Sequence, residues 1–295
     1  MKETIFEGSG VAIITPMNED KSINHTAFEE IIDFQLENGT DAIIACGTTG
    51  ESATLSDDEY YSVVKCAANR VNKRVPVIAG AGSNNTIHAI ELSLRAKSAG
   101  ADALLIVTPY YNKTSQKGLV EHYKLIAENV ELPIILYNVP SRTGCNINPE
   151  TCLELSKIPN IVGIKEASGN ISNVAKILSL CDKDFKVYSG NDDQIVPIMS
   201  LGGSGVISVF ANVCPKECHD ITSLALKGEI SKAAEMQLKY LDLINILFCD
   251  VNPIPVKEAM NMLGYDCGRC RLPLTTLNEE NLNKLREMMK KYDII

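Results

Sequence analysis

The sequence predicts a single-domain (β/α)8 barrel, the TIM barrel fold, with additional helices at its C-terminal end. Short apolar runs rich in β-branched residues recur along residues 1–214, turn residues follow each run, and amphipathic segments separate the runs. Successive runs, the last pair excepted, start about 25 to 35 residues apart, which is the size of one βα unit. The length of 295 residues also suits one such domain, because α/β barrels commonly contain about 250 residues.

The apolar runs are predicted to be parallel strands that are buried on both faces. In chain order, the predicted strands are Gly10–Pro16, Asp41–Gly47, Pro76–Gly82, Ala101–Tyr111, Leu132–Pro140, Asn160–Ser168, Phe185–Asn191 and Gly203–Phe210. Eight runs favour closure into a barrel over the alternative, a doubly wound open sheet. The first run also lacks the G-x-G-x-x-G exit of a dinucleotide-binding sheet.

Helix signals occupy the segments between the strands. Asn24 precedes an amphipathic stretch that ends at Gly39, and Asn85 begins another. Ser56 and Glu59 have the spacing of a capping box, in which each residue binds a free backbone N–H of the other. These segments are therefore predicted to be the helices that connect the strands.

The chain after the eighth strand is predicted to add helices to the barrel. Pro215–Asp250 and Pro253–Ile295 have helical patterns, and no ninth strand is evident. No low-complexity linker divides the sequence. We therefore predict one domain, 1–295, with a barrel core at 1–214 and appended helices at 215–295.

Charge and hydropathy argue against nucleic acid and membrane partners. The sequence contains 28 basic and 37 acidic residues, and an excess of acid disfavours binding to phosphate-rich surfaces. No apolar run approaches the roughly 18 residues that a membrane span needs. The first residues, Met1–Thr4, lack the features of a signal peptide. We expect a cytoplasmic protein.

Ten cysteines are scattered through apolar segments, unlike the disulfide framework of a small secreted domain. Cys267 and Cys270 have C-x-x-C spacing, and Cys214 and Cys218 form a looser pair. Four thiolates could bind zinc, but the compact context of a zinc knuckle is missing. We expect reduced structural thiols and no metal.

A lysine at the end of an apolar strand is the sharpest chemical signal. Strict alternation places Ile161, Gly163 and Lys165 on one face of the sixth strand. Val162 and Ile164 then face the helices, so that Lys165 points into the barrel. Burial disfavours the ammonium form of a lysine, and a neutral amine attacks ketones and aldehydes. Lys165 is therefore a candidate nucleophile.

The alternative is a structural lysine paired with a carboxylate such as Glu166. Adjacent residues of a strand face opposite ways, which disfavours that pairing.

Tyr137 ends the preceding strand, where its hydroxyl could move protons to and from a carbinolamine, although rim packing would also explain it. The segment Gly47–Ser52 carries small residues and hydroxyls. Either its backbone N–H groups hold a carboxylate, or the segment is a simple glycine turn.

Several motifs together resemble the 4-hydroxy-tetrahydrodipicolinate synthase (dihydrodipicolinate synthase) family of Schiff-base class I aldolases. The likeness runs nearly end to end. It is carried by Gly47–Glu51, Val107–Tyr111, Tyr137–Gly144, Gly163–Glu166 and Asn252–Lys257. The resemblance implies condensation of pyruvate with L-aspartate 4-semialdehyde in diaminopimelate and lysine biosynthesis, without a metal or organic cofactor.

The resemblance also implies roles for individual residues. Lys165 matches the lysine that forms the imine, and Tyr137, Thr48 and Tyr111 match the proton relay. In this family the residue at the position of Tyr111 reaches the neighbouring subunit's site. The chain is therefore expected to be a homo-oligomer, a tetramer built from tight dimers in the family.

Four further positions match substrate contacts of the family. Thr49 matches a contact to the pyruvate carboxylate, and Arg142 matches the contact to the carboxylate of the aldehyde. Gly190 and Ile207 match backbone positions that line the site.

Sister enzymes of the superfamily are the nearest alternatives: N-acetylneuraminate lyase and 2-keto-3-deoxy sugar-acid aldolases. They share the lysine and the tyrosine. Arg142 favours the synthase, because a guanidinium pairs with the carboxylate of a small substrate. A non-catalytic barrel scaffold is disfavoured by the complete set of matched residues.

Regulation is expected to differ from that of lysine-inhibited members of the family. Ser52, Ala53, Asn84 and Tyr110 match their lysine site. Three other positions of that site hold Asp57, Tyr60 and His88. The last replaces a glutamate that would pair an ammonium of lysine, so we expect weak or absent inhibition by lysine.

Overall fold

The computed structural model describes residues 2–295, and within them eight parallel strands close into one barrel. Strands that are consecutive in the chain are hydrogen-bonded, and the first strand pairs with the last. The strands are β1 (Gly8–Ala12), β2 (Ala42–Ala45), β3 (Val77–Gly80), β4 (Ala103–Val107), β5 (Ile134–Asn138), β6 (Ile161–Glu166), β7 (Lys186–Ser189) and β8 (Gly205–Ser208). The predicted barrel is confirmed, and each predicted strand overlaps an observed one.

The observed strands are shorter than the predicted ones because apolar composition marks burial rather than pairing. β1 begins before the predicted Gly10 and ends at Ala12. Ile13 and Ile14 remain fully buried beyond it. The N–H of Ile14 donates to Asn212 Oδ1 at 3.1 Å, a side chain rather than a neighbouring strand.

Three of the helices between the strands begin at the predicted caps. The helices between the strands are α1 (His25–Glu37), α2 (Asp57–Val71), α3 (Thr86–Ala99), α4 (Gln116–Asn129), α5 (Pro140–Thr143), α6 (Pro149–Ser156), α7 (Ile171–Leu180) and α8 (Ile195–Ser200). Asn24 and Asn85 each accept a backbone N–H of the helix that follows. Ser56 and Glu59 form both hydrogen bonds of the capping box, which confirms that prediction.

Additional helices cover the barrel at the C-terminal end, as predicted. They are α9 (Pro215–Leu226), α10 (Ile230–Lys239), α11 (Leu241–Ile246), α12 (Ile254–Met262) and α13 (Glu279–Lys291). α9 packs against β1 and β8. The expectation of helix throughout Pro253–Ile295 was wrong, because residues 263–278 form a non-helical connection. Its Gly268 has a φ of 61° and packs so closely on Met17 O that a Cβ would lie 1.9 Å away.

Two apolar clusters fill the molecule, one between barrel and helices and one inside the barrel. Phe6 and Tyr188 occupy the inner cluster and stack with ring centroids 4.4 Å apart. The hydroxyl of Tyr188 donates to Phe6 O at 2.7 Å. Because Phe6 precedes β1, this pair fills the N-terminal end of the barrel.

A register shift between β5 and β6 lies between Ile134 and Ile135. Strict alternation is interrupted at this point of β6, because Ile134 pairs with Ile161 whereas Ile135 pairs with Gly163. Ile161 packs in the outer cluster and Val162 in the inner one, so the predicted faces of these two residues were wrong. An irregularity of this kind re-aims the side chains that follow it. Lys165 nevertheless faces the barrel interior, as predicted.

A buried ion pair joins the exit of β2 to the appended helices. Lys257 of α12 and Glu51 lie 2.7 Å apart between Nζ and Oε1, and both side chains are almost fully buried. The second carboxylate oxygen of Glu51 accepts the backbone N–H of Arg271 at 2.8 Å. The carboxylate is thus paired and hydrogen-bonded, which offsets the cost of its desolvation.

We expect the substitution Lys257→Met to lower the free energy of unfolding by about 3–5 kcal/mol, because it leaves a buried carboxylate without its cation. Urea unfolding measures the change. Lys284→Ala is the control, since its partner Glu280 and Lys284 itself are exposed, and it should leave the urea midpoint unchanged. Equal midpoints for the two variants would contradict the prediction.

Candidate active site

A cavity of about 190 Å³ lies at the C-terminal end of the barrel. Its walls include Tyr137 and Lys165 at the ends of neighbouring strands, with Gly190 and Val209 just beyond two others. This end carries the active sites of TIM barrel enzymes. Pockets for drug-sized ligands usually exceed about 300 Å³, so the volume suits a ligand of only a few atoms.

Lys165 lies beside Tyr137 in the sheet register, and its Nζ is 4.5 Å from the centroid of the tyrosine ring. The lysine is 6% exposed, and no carboxylate of residues 2–295 forms an ion pair with it. Glu166 instead accepts from Asn138 Nδ2 at 2.8 Å and from Ser168 N at 2.6 Å. Burial raises the pKa of the Glu166 carboxyl. The prediction that Glu166 does not pair with Lys165 is confirmed.

Gly190 makes room for the lysine chain. A Cβ at this position would lie 3.1 Å from Lys165 Cε and 2.5 Å from the Cβ of Ala167. The N–H of Gly190 donates to Glu166 O at 2.8 Å, which holds the backbone close to β6. A side chain here would therefore press on the reactive group.

The turn after β2 presents two free amides near the cavity. The N–H groups of residues 50–52 donate to carbonyls inside the turn. Those of Thr48 and Thr49 have no acceptor in the described part of the chain. Both threonines line the cavity. Neighbouring free amides of this kind form a concave site for a carboxylate.

Asn252 connects this turn to Arg142. Its side-chain Nδ2 donates to Thr49 Oγ1 at 3.0 Å, and its backbone carbonyl accepts from Arg142 Nη2 at 3.3 Å. Arg142 lies exposed on α5, and both it and Asn252 also line a second, outer cavity of about 440 Å³. The two cavities therefore adjoin at a guanidinium that can pair with a carboxylate.

The structure brings most of the predicted residues together and leaves two apart. Those around the inner cavity are Lys165, Tyr137, Thr48, Thr49, Arg142 and Gly190. Ile207 is fully buried in the inner cluster and does not line either cavity. Tyr111 is 91% exposed and has a φ of 68°, an unfavourable conformation for an aromatic residue. It does not contribute to the walls of its own chain's cavities.

The residues of the cavity wall that sequence reasoning did not single out include Val209, Asn252 and Phe248. Val209 follows β8 directly, and its place after a strand could have identified it. Asn252 was identified only as the first residue of the family motif Asn252–Lys257 and not as a site residue. Phe248 is 45% exposed at the mouth of the cavity, beyond the end of α11. No local pattern in the appended region indicates contact with the barrel.

The cysteine pairs lie on separate elements, Cys214 and Cys218 at α9 and Cys267 and Cys270 in the connection before α13. Burial raises the pKa of the Cys267 and Cys270 thiols to about 12, which disfavours thiolates. Within residues 2–295, no cluster of three or more His, Cys, Asp or Glu side chains could hold a metal ion.

The part of the chain that the structure describes contains no helix long and apolar enough to cross a membrane.

Comparison with known proteins identifies close relatives. The model of the Dihydrodipicolinate synthetase family matches residues 5–292. The chain is 59% identical to the 4-hydroxy-tetrahydrodipicolinate synthase of Caldicellulosiruptor saccharolyticus over 98% of each sequence. It is 54% identical to the enzyme of that name from Acetivibrio thermocellus over the whole of both.

Solved structures agree with these sequence relatives. The dihydrodipicolinate synthase of Acinetobacter baumannii complexed with pyruvate is 46% identical and superimposes with a TM-score of 0.97, covering 99% of this chain and 100% of the other. The synthase of Aquifex aeolicus is 46% identical, with a TM-score of 0.96 over 98% of this chain and 99% of the other.

Proposed function

The chain belongs to the dihydrodipicolinate synthetase family, and from this membership we propose that it condenses pyruvate with L-aspartate 4-semialdehyde through an imine on Lys165. The product is 4-hydroxy-tetrahydrodipicolinate, in diaminopimelate and lysine biosynthesis. The observation that carries the proposal is a buried Lys165 beside Tyr137, whose Nζ has no carboxylate oxygen of residues 2–295 within 4 Å. The names of the relatives support this substrate pair over the sugar-acid substrates of the sister lyases.

The first half of the reaction builds the imine. Lys165 Nζ attacks C2 of pyruvate, and no ion pair has to be broken beforehand. The free amides of Thr48 and Thr49 hold the pyruvate carboxylate. Tyr137, whose ring lies 4.5 Å from Nζ, relays the protons as the carbinolamine loses water.

The second half forms the carbon–carbon bond. The protonated imine is an electron sink, so a methyl proton leaves pyruvate and an enamine forms. The enamine carbon attacks the aldehyde, whose carboxylate pairs with Arg142 at the junction of the two cavities. The substrate amine then displaces Lys165 by cyclising and restores the free lysine. The covalent lysine supplies the electron sink that a cofactor provides in other enzymes.

The proposal includes assembly into a homo-oligomer, which is supported by the surface position of Tyr111. Tyr111 is 91% exposed and has an unfavourable φ, a conformation that persists only where other contacts stabilise it. Contact with the active site of a neighbouring subunit would supply that stabilisation. The pathway and the sequence composition support a cytoplasmic location, and the family resemblance supports a tetramer of tight dimers.

Weak regulation by lysine is supported by the contacts of Asp57. Its carboxylate lies 3.3 Å from His88 Nε2 and 3.6 Å from Arg95 Nη2. An acid already shared by two basic groups is a poor partner for the ammonium of a ligand. Asp57 therefore does not replace the glutamate that His88 displaces.

Lys165→Ala should abolish formation of a pyruvate adduct while leaving the fold intact, because it removes the only proposed nucleophile. Borohydride reduction with pyruvate, followed by intact mass, measures the adduct. Lys186→Ala is a matched control on neighbouring β7, where the lysine pairs with Glu7, and it should retain the adduct. Trapping in Lys165→Ala, or none in the unchanged protein, would refute the proposed chemistry.

Mixing Tyr111→Phe with Lys165→Ala protein should restore activity that each lacks alone. In a hybrid, the site with an intact Lys165 receives Tyr111 from the other subunit. The rate of product formation is measured after subunit exchange has been verified by mass spectrometry. Unmixed variants carried through the same exchange are the controls. No recovery would place Tyr111 outside the neighbour's site.

Lysine should inhibit the enzyme at least roughly 100-fold more weakly than it inhibits lysine-sensitive relatives. Two lost contacts to charged groups, each worth about 1.5–3 kcal/mol, account for this factor. A lysine titration of the coupled assay measures it, with a lysine-sensitive family member as the control. Cooperative inhibition below 1 mM (roughly −4.1 kcal/mol of binding) would show that the site still recognises lysine.

A further inference from the structure

Asn252 contacts the groups proposed for both substrate carboxylates. Its side-chain Nδ2 donates to Thr49 Oγ1, and its backbone carbonyl accepts from Arg142 Nη2. It lies in the connection between α11 and α12 and lines both cavities. The residue is 6% exposed, so its geometry is determined by protein contacts rather than by solvent.

The contact with Asn252 determines what the Thr49 hydroxyl can do. Because Oγ1 accepts the amide N–H at 3.0 Å, the hydroxyl proton points elsewhere. No acceptor in the described chain receives that proton. Thr49 is buried and lines the inner cavity, so its O–H is available to an anion bound there.

The side-chain amide of Asn252 leaves its own oxygen unpaired within the described chain while its nitrogen donates to Thr49. As oriented, Asn252 leaves Oδ1 buried without a partner among residues 2–295. With the amide reversed, Thr49 Oγ1 would donate to Oδ1, and its proton would not be available to a bound anion. A buried polar atom without a partner costs folding stability and calls for a reason other than stability.

We propose that Asn252 is a positioning residue, which holds the Thr49 hydroxyl as a hydrogen-bond donor to the pyruvate carboxylate. The proposal rests on the proposed function, because it assumes that pyruvate binds beside Thr49. Asn252 acts through Thr49 and need not touch the substrate. Substitution of Asn252 should therefore no longer weaken pyruvate binding once the Thr49 hydroxyl has been removed.

A double-mutant cycle tests this dependence. Asn252→Ala, Thr49→Val and the double variant are compared by the pyruvate concentration that gives half-maximal borohydride trapping. Each single variant should raise this concentration roughly 10- to 100-fold, the loss expected for a hydrogen bond to a charged group. The double variant should be no worse than the weaker-binding single variant. A multiplicative loss in the double variant would overturn the proposal.

Asn261→Ala is the matched control. Asn261 is another asparagine of the appended region whose side chain is hydrogen-bonded, to Gly268 O at 3.0 Å and Cys267 N at 2.9 Å, but it lines neither cavity. Asn261→Ala should leave pyruvate trapping unchanged, both alone and when it is combined with Thr49→Val. If Asn261→Ala and Thr49→Val gave the same non-additive loss of pyruvate trapping, the effect of Asn252→Ala would be a general structural one, and the proposal would be overturned.

Asn252→Asp tests the same point if the alanine variant does not fold. A carboxylate of the same size cannot donate, so the Thr49 proton turns toward it and away from pyruvate. Half-maximal trapping should then require at least 10-fold more pyruvate (a loss of roughly 1.4 kcal/mol), and unchanged trapping would overturn the proposal. No adduct in the unchanged protein would instead refute the proposed function itself.

Discussion

The ion pair between Glu51 and Lys257 is the contact on which the geometry of the site depends. Glu51 ends the turn after β2 in a left-handed conformation, with φ 56° and ψ 33°, which is unfavourable for a residue with a side chain. Lys257 and the N–H of Arg271 hold its carboxylate in the interior. The turn that presents the amides of Thr48 and Thr49 is thereby fixed to the appended helices.

The barrel contributes the complementary half of the site. Apolar side chains and the stacked Phe6–Tyr188 pair fill its N-terminal end, so space remains only at the opposite end. Lys165 reaches that space from β6, and Gly190 leaves room for its chain. A buried lysine that forms no ion pair within 4 Å among residues 2–295 is costly for folding but suited to forming an imine.

The sequence predicted the barrel and most of the candidate site because both depend on local patterns. Strand ends can be located from apolar runs, and the ends of parallel strands in a barrel meet at one face. Strict alternation failed at Ile161 and Val162, because the register shift beside them depends on how β5 and β6 pair. The helical pattern after Pro253 failed over residues 263–278, where glycines and contacts to Met17 determine the path of the chain.

The amino-acid sequence by itself determined the fold class, the helix caps and the identity of the candidate nucleophile, because each depends on the pattern within a short segment. Only the tertiary structure decided which distant residues support the site. Asn252 lies 203 positions from Thr49, and Lys257 lies 206 positions from Glu51. Periodicity and capping act over a few residues, so they carry no information about such pairs. Those contacts exist only once the closed barrel brings the appended helices over the exit of β2.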